Sequence, residues 1–303
     1  MEVKKWSYEE YPEFCEPVDG ATWMETSGDE IGVYLHANVE YVRVQDVPLH
    51  LHILEPFTRN DPERIYPCLV YVQGSAWAKQ WMEKSLAQYA NLAKLGYVIA
   101  VVEYRHSGIA PFPAVIQDTR NAVRFMKKYA AQYHADANCV FLGGCSSGGH
   151  AAMFAGLLKE GDPMDASLFE GIDAEVRGIL DYYGAVSLLM EDGYPSTSNH
   201  GLPDSPEGKM MGKVNLREDR RLRERGSVET YLTEEIDLAP VWIIHGTKDR
   251  IVNPEQSVRL YQKLRALGKD AELVLLKGAD HGGAEFWTEE VCRAADTFMK
   301  KHF

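Results

Sequence analysis

Cysteine is scarce in this chain, with Cys15, Cys68, Cys139, Cys145 and Cys292 the only five in 303 residues. An odd, scattered set with no C-x-x-C pair excludes a disulfide framework and a zinc site as expectations. Long apolar runs are missing too: nothing approaches the roughly 18 residues of a membrane span. The first twenty residues, MEVKKWSYEEYPEFCEPVDG, lack the apolar centre of a secretory leader. Basic residues are outnumbered, 32 Lys and Arg against 45 Asp and Glu, for a net charge of −13. Phosphate backbones and anionic lipid repel such a chain, which argues against nucleic acid and membrane partners. Repeats and low-complexity linkers are also absent. These absences predict a reduced, cytoplasmic protein, and they leave a homo-oligomer open.

What is present is a regular alternation. After an irregular extension (1–30), VEYVRV (39–44) and PLHLHILEP (48–56) alternate apolar and polar residues around Gln45-Asp46-Val47, predicting an antiparallel pair. Short apolar runs follow: PCLVYVQG (67–74), YVIAVVEYR (97–105), CVFLGGC (139–145), VRGILDYYG (176–184), PVWIIHGTKD (240–249) and AELVLLKGA (271–279). Strands buried on both faces have this pattern, and helical segments between them imply βαβ crossovers. Helices are expected over 114–133, over 253–268 with Asn253 as cap and Pro254 at the first position, and at the C-terminus. The predicted fold class is α/β: one domain over 1–303, a mostly parallel central sheet with helices on both faces, and an N-terminal antiparallel pair. The polar, Gly- and Pro-containing stretch 185–238 breaks the alternation and reads as a lid or cap insertion.

Residues 143–150, GGCSSGGH, join a buried strand to a helix rich in small residues. A sharp turn of this kind strains its central residue and needs small residues two before and two after it. Ser146 meets that test, with Gly144 and Gly148 completing G-x-S-x-G; Ser147 and Cys145 fail it. A serine nucleophile needs a base, and the base needs a carboxylate to orient it. Both are expected after later strands, which selects Asp249 in HGTKDRIV and His281 in GADHGG. Asp280, adjacent to His281, is the competing acid but is badly placed to reach the ring's Nδ1. His245 reads as a packed or hydrogen-bonded core residue, His150 as pointing away from the turn, and His106 as a rim residue.

The chain at this point resembles the α/β-hydrolases, in the branch of hormone-sensitive-lipase-like esterases, acetyl or feruloyl esterases and arylformamidases. The likeness covers roughly residues 65–300 and rests on VEYRHSGIAPFPAVIQDTRNAVRFM, GCSSGG, HGTKDRIV and GADHGG. It implies a serine hydrolase cleaving carboxylic esters through an acyl-serine intermediate, with no metal and no organic cofactor. Arylformamidase, small peptidase and a non-catalytic binding protein are the rival readings. The family's H-G-G-G-W or H-G-G-x-W loop is replaced by Gln73-Gly74-Ser75-Ala76-Trp77. By the resemblance, an oxyanion hole is expected from backbone N–H groups of Gly74, Ser75 or Ala76 together with Ser147.

The substrate pocket is expected between the strand ends and the 185–238 lid, with Trp77 and Tyr183 in its wall and Phe286 or Trp287 nearby. Trp77 has loop packing as its alternative role. Glu103, Arg105 and Asp118 read as structural braces. The one basic cluster, Arg217, Arg220, Arg221, Arg223 and Arg225, reads as a solvated helix face, with a carboxylate-bearing substrate or a subunit contact as the alternative.

Overall fold

A computed structural model describes residues 3–189 and 195–303; residues 190–194 of the expected lid lie outside the described residues. Residues 3–31 contribute no helix or strand. The sheet has eight strands: β1 (Gly32–Val44), β2 (Val47–Phe57), β3 (Tyr66–Val72), β4 (Val98–Val102), β5 (Ala135–Cys145), β6 (Ile179–Tyr182), β7 (Val241–Gly246) and β8 (Ala271–Leu276). Their spatial order is β1-β2-β4-β3-β5-β6-β7-β8. β1 and β2 run antiparallel to each other, β2 is antiparallel to β4, and all later pairings are parallel. The predicted pair is thus present, and its turn residues Gln45 and Asp46 both have positive φ, 48° and 68°. That is the conformation that matches a two-residue hairpin to the strands' twist.

Seven helices accompany these strands among the described residues: α1 (Leu86–Ala93), α2 (Ala114–Lys128), α3 (Ser147–Leu157), α4 (Pro206–Met210), α5 (Arg220–Arg225), α6 (Glu255–Ala266) and α7 (Glu289–Lys301). α6 is assigned from Glu255, but Pro254 already has helical angles (φ −60°, ψ −18°), and the Asn253 side chain accepts from the Glu255 N–H at 2.8 Å, the cap contact expected of it. Apolar side chains fill both faces of the sheet. One core joins the strands to α2 and α3 through residues such as Val70, Val72, Met126, Ala152 and Phe154. The other joins them to α1 and α7 through Tyr71, Leu92, Ile99, Phe298 and Met299.

The described part of 185–238 packs into the first core with Val186, Leu188, Met210, Leu216 and Val228. No residue of α5 is buried, and Arg220 Nε bonds Glu224 at 2.8 Å, so this basic cluster faces solvent. Arg105 and Asp118 brace the segment after β4, with Arg105 donating from both backbone and Nε at 2.8 and 3.0 Å. No helix among the described residues is long and apolar enough to cross a membrane.

Candidate active site

β5 ends at Cys145 and α3 begins at Ser147, leaving Ser146 at the corner with φ 54° and ψ −123°. A non-glycine residue holds such angles only where its surroundings over-determine them. The flanking glycines supply that constraint. A Cβ on Gly144 would overlap the carbonyl of Gly148, and one on Gly148 would overlap the carbonyl of Val72 in β3.

The loop after β8 carries His281 to this corner. Its Nε2 is 2.8 Å from Ser146 Oγ, and its Nδ1 is 2.7 Å from Asp249 Oδ2. Gly282 and Gly283 follow with φ of 81° and 116°, turning the chain back at once. Asp249, in the loop after β7, has a fully buried carboxylate whose Oδ1 accepts the N–H groups of Ile251 and Val252, each at 2.8 Å. Burial works to raise its pKa, but hydrogen bonds from His245 and His281 outweigh it and hold the carboxyl well below the usual range. Asp280 points elsewhere, bonded to Arg250 Nε at 2.7 Å and held down to about 2 by that contact.

The other histidines divide unevenly. His150 is buried, with Nε2 2.9 Å from the Gly226 carbonyl, and burial pushes its pKa down to about 4. His106 accepts from the N–H of Gly108 at 3.1 Å, closing its own turn, and lines no part of the cavity beside Ser146. His245 is the buried, hydrogen-bonded core residue expected, and the sequence reading missed only its partner: its Nε2 lies 3.1 Å from Asp249 Oδ2. Its place four residues before the acid, at the end of the same strand, was the available signal.

The Gln73–Trp77 loop faces Ser146. Two of its expected donors are already engaged: Gly74 N–H points to Cys145 Sγ at 3.2 Å, and Ser75 N–H donates to Ser147 Oγ at 2.9 Å. The N–H groups of Ala76 and Ser147 have no protein acceptor among the described residues. The candidate oxyanion donors therefore narrow to these two, one on a left-handed residue with φ 56°, the other at the first turn of α3. Ser75 Oγ donates to the Ala78 carbonyl at 2.6 Å, so the Tyr104 hydroxyl, 2.7 Å away, donates to Ser75. The Ser147 hydroxyl in turn lies against Tyr104. Gln73, where the family has histidine, donates to the Trp81 carbonyl at 2.6 Å and accepts from Tyr89 at 3.1 Å.

Ser146 and His281 open into a cavity of about 430 Å³. Loop 73–76, Cys145, Tyr183, Ile251, Gly282, Gly283 and Trp287 line it, and its far wall is Lys84, Ser85, Gln88 and Tyr89. Tyr183 stands edge-on to the His281 ring at 5.0 Å between centroids. Trp77 is absent from the lining: it is 2% exposed, packed in the core with its ring edge-on to His150 at 5.2 Å. Its surroundings correspond to the packing role, and both Ala76 and Trp77 hold positive φ, 56° and 52°. No described residue of 185–238 lines the cavity either; the segment before and into α1 takes that position. Among the described residues, no cluster of three or more His, Cys, Asp or Glu side chains could hold a metal ion.

A family model described as BD-FAE matches residues 51–264. Among curated proteins, the chain is 28% identical to Esterase LipC of Mycobacterium tuberculosis over 236 residues, covering 76% of this chain and 56% of that protein. It is 23% identical to the isoprenylcysteine alpha-carbonyl methylesterase ICME of Arabidopsis thaliana, covering 75% of this chain and 53% of that one. The chain thus spans about half the length of the curated relatives it matches. A solved structure described as a truncated form of a carbohydrate esterase from gut microbiota superposes with a TM-score of 0.78 at 25% identity, covering 91% of this chain and 98% of that one. Est2, a thermophilic esterase from Thermogutta terrifontis, superposes at 0.67 with 21% identity, covering 89% and 94%.

Proposed function

The chain belongs to the BD-FAE family and has the α/β-hydrolase fold, and on that premise we propose that it hydrolyses carboxylic esters of small molecules through an acyl-serine intermediate at Ser146. The observation that carries this reading is the continuous contact from Ser146 Oγ through His281 to Asp249 at the floor of a cavity. Ser146 Oγ attacks the ester carbonyl carbon while His281 Nε2 takes its proton. The oxyanion that forms accepts from the N–H groups of Ala76 and Ser147, each donor worth roughly 3–4 kcal/mol in the transition state. Collapse breaks the bond to the alkoxide, which leaves with the proton from His281. Water then attacks the acyl-serine with the same base, releasing the carboxylic acid and restoring Ser146. Asp249 keeps Nδ1 protonated and stabilises the imidazolium.

The cavity lining supports a substrate class. Tyr89, Tyr183 and Trp287 offer apolar faces, while Gln73, Ser85 and Gln88 add amide and hydroxyl groups. That mixture suits short or aromatic acyl groups on a hydroxyl-rich alcohol, in keeping with the carbohydrate esterase among the solved neighbours. A panel of p-nitrophenyl esters, acetylated sugars, feruloyl esters and N-formylkynurenine tests the reading, with Ser146→Ala as the blank. Turnover of an ester that disappears in the variant, with fluorophosphonate labelling of Ser146 in wild type, is the expected result. Turnover of the formamide alone, or a folded protein that takes no label, refutes it.

A further inference from the structure

Asp249 Oδ2 faces two imidazoles, and only one of them reaches Ser146. The second, His245 at the end of β7, is completely buried. Its Nε2 lies 3.1 Å from Asp249 Oδ2 and 3.0 Å from the Val252 carbonyl, and its Nδ1 lies 2.7 Å from Ser257 Oγ. A carbonyl and a carboxylate accept only, so Nε2 carries a hydrogen and shares it between them. Ser257, buried in the first turn of α6, is placed to donate its hydroxyl to Nδ1 and so to keep the ring in that orientation.

Resting on the serine-hydrolase reading above, we propose that His245 is a positioning residue for the acid. With Ser257 behind it, it fixes the direction of the Asp249 carboxylate and draws off part of the negative charge that this carboxylate turns toward His281. The carboxylate then has a donor in every direction that matters: Ile251 and Val252 N–H on Oδ1, His245 and His281 on Oδ2. A hydrogen-bond chain runs Ser257–His245–Asp249–His281–Ser146, tying α6 and β7 to the nucleophile. His245 comes from β7 and His281 from the loop after β8, Tyr183 packs on the His281 ring, and the Arg250–Asp280 pair lies at the surface.

The test compares His245→Leu, His245→Gln and Ser257→Ala with wild type on a short p-nitrophenyl ester. Circular dichroism confirms folding, and Ser146→Ala is assayed in parallel. His245→Leu removes the donor: kcat falls on the order of tenfold to a hundredfold from a misdirected acid, with KM within about twofold. The acid limb of kcat/KM moves to higher pH, because an Asp249 carboxylate with one donor fewer holds the proton on His281 more strongly. His245→Gln, whose terminal amide can donate to Asp249 and accept from Ser257, recovers most of the rate. Ser257→Ala moves kcat and the acid limb the same way by less. If His245→Leu does not fold, the Gln and Ser257→Ala variants decide through the acid limb alone. Folded variants with wild-type kcat and an unmoved acid limb overturn the proposal, as does a Gln variant as impaired as Leu. An active Ser146→Ala would instead sink the serine-hydrolase reading itself.

Discussion

The Ser146 corner and the Gln73–Trp77 loop touch each other and line one cavity, but they hold strained backbone by different means. At the corner, glycine is a steric necessity: Gly144 and Gly148 sit so close to neighbouring carbonyls that no Cβ fits. In the loop only Gly74 is under such pressure, from the carbonyl of Cys145. Ala76 and Trp77 nonetheless hold φ of 56° and 52°. There the angles are held by hydrogen bonds from Ser75, Tyr104 and Gln73, and by burial of the indole. A loop can thus hold left-handed residues without glycine, provided side chains lock it in place.

The largest expected effects fall on the corner and its partners. Ser146→Ala and His281→Ala each lower kcat by on the order of 10⁶, the cost of losing one member of a unit that acts together. Asp249→Asn costs about 10⁴, with KM little changed, because the amide favours the wrong tautomer of His281. Single-turnover kinetics on the p-nitrophenyl ester separate these losses from weaker binding. A serine variant with a tenth of wild-type rate would place the nucleophile elsewhere.

Stability offers the next test, again on the corner's side. Asp181 of β6 lies behind the corner, fully buried, where a Cβ on either Gly149 or Gly184 would overlap its carboxyl. Neither of its oxygens makes a hydrogen bond, although the Gly184 N–H approaches, and burial raises its pKa to about 7. The native carboxyl keeps its proton up to that pH, while the unfolded chain releases it near 3.8. The native state therefore binds more protons across this window, so the group's contribution to stability falls as pH rises through it. Between pH 5 and pH 8 the loss is roughly 2–3 kcal/mol. Asp181→Asn removes it, so the variant gains on wild type as pH rises, by urea midpoints at the two values. A constant difference between variant and wild type would refute the assignment. Comparing the two proteins at each pH cancels His150, which is held neutral and opposes acidification from about 6.5 downward.

The sequence made the corner far more legible than the loop. Strand period, the elbow glycines and the order of later loops are local or topological signals, and they were enough to bring Ser146, Asp249 and His281 together. The antiparallel start of the sheet was readable for the same reason. The loop's donors were not, because which N–H is free depends on Cys145 Sγ and Ser147 Oγ, more than seventy residues away. Trp77 was left between two roles because its packing partner, His150, is distant in sequence. The cavity's far wall, 84–89, carries no motif, whereas 185–238 drew attention by its length, and its described part packs against the core. His245 was legible as a core residue, but its bond to Asp249 was not, because an apolar strand does not say which partner a buried histidine meets.

Cutting the loop's brace should cost less than any loss at the corner. Tyr104→Phe removes the hydroxyl that donates to Ser75, and Ser75→Gly removes both Ser75 contacts. Each lowers kcat by roughly tenfold to a hundredfold with KM nearly constant, since a misdirected oxyanion donor is felt only in the transition state. Combining them should cost much less than the product of the two, because both cut the same contact. A multiplicative double variant would mean that Tyr104 and Ser75 act separately, and the loop would have no shared brace.

The smallest effect belongs to Ala76→Gly, and it bears most directly on the contrast between the two regions. Glycine at this position relieves a left-handed alanine, a gain of about 1 kcal/mol, while freeing the unfolded chain costs about as much. Stability should change by less than about 1 kcal/mol and kcat by less than about threefold if hydrogen bonds, rather than the residue type, hold the Ala76 N–H. Gly148→Ala is the matching change at the corner, where the added methyl meets the Val72 carbonyl and the strand must shift. Thermal melts and kcat on this pair read the two mechanisms side by side. A tenfold loss of kcat in Ala76→Gly would show that the methyl stiffens the loop, and the side-chain brace would then be only half of what replaces the missing glycines.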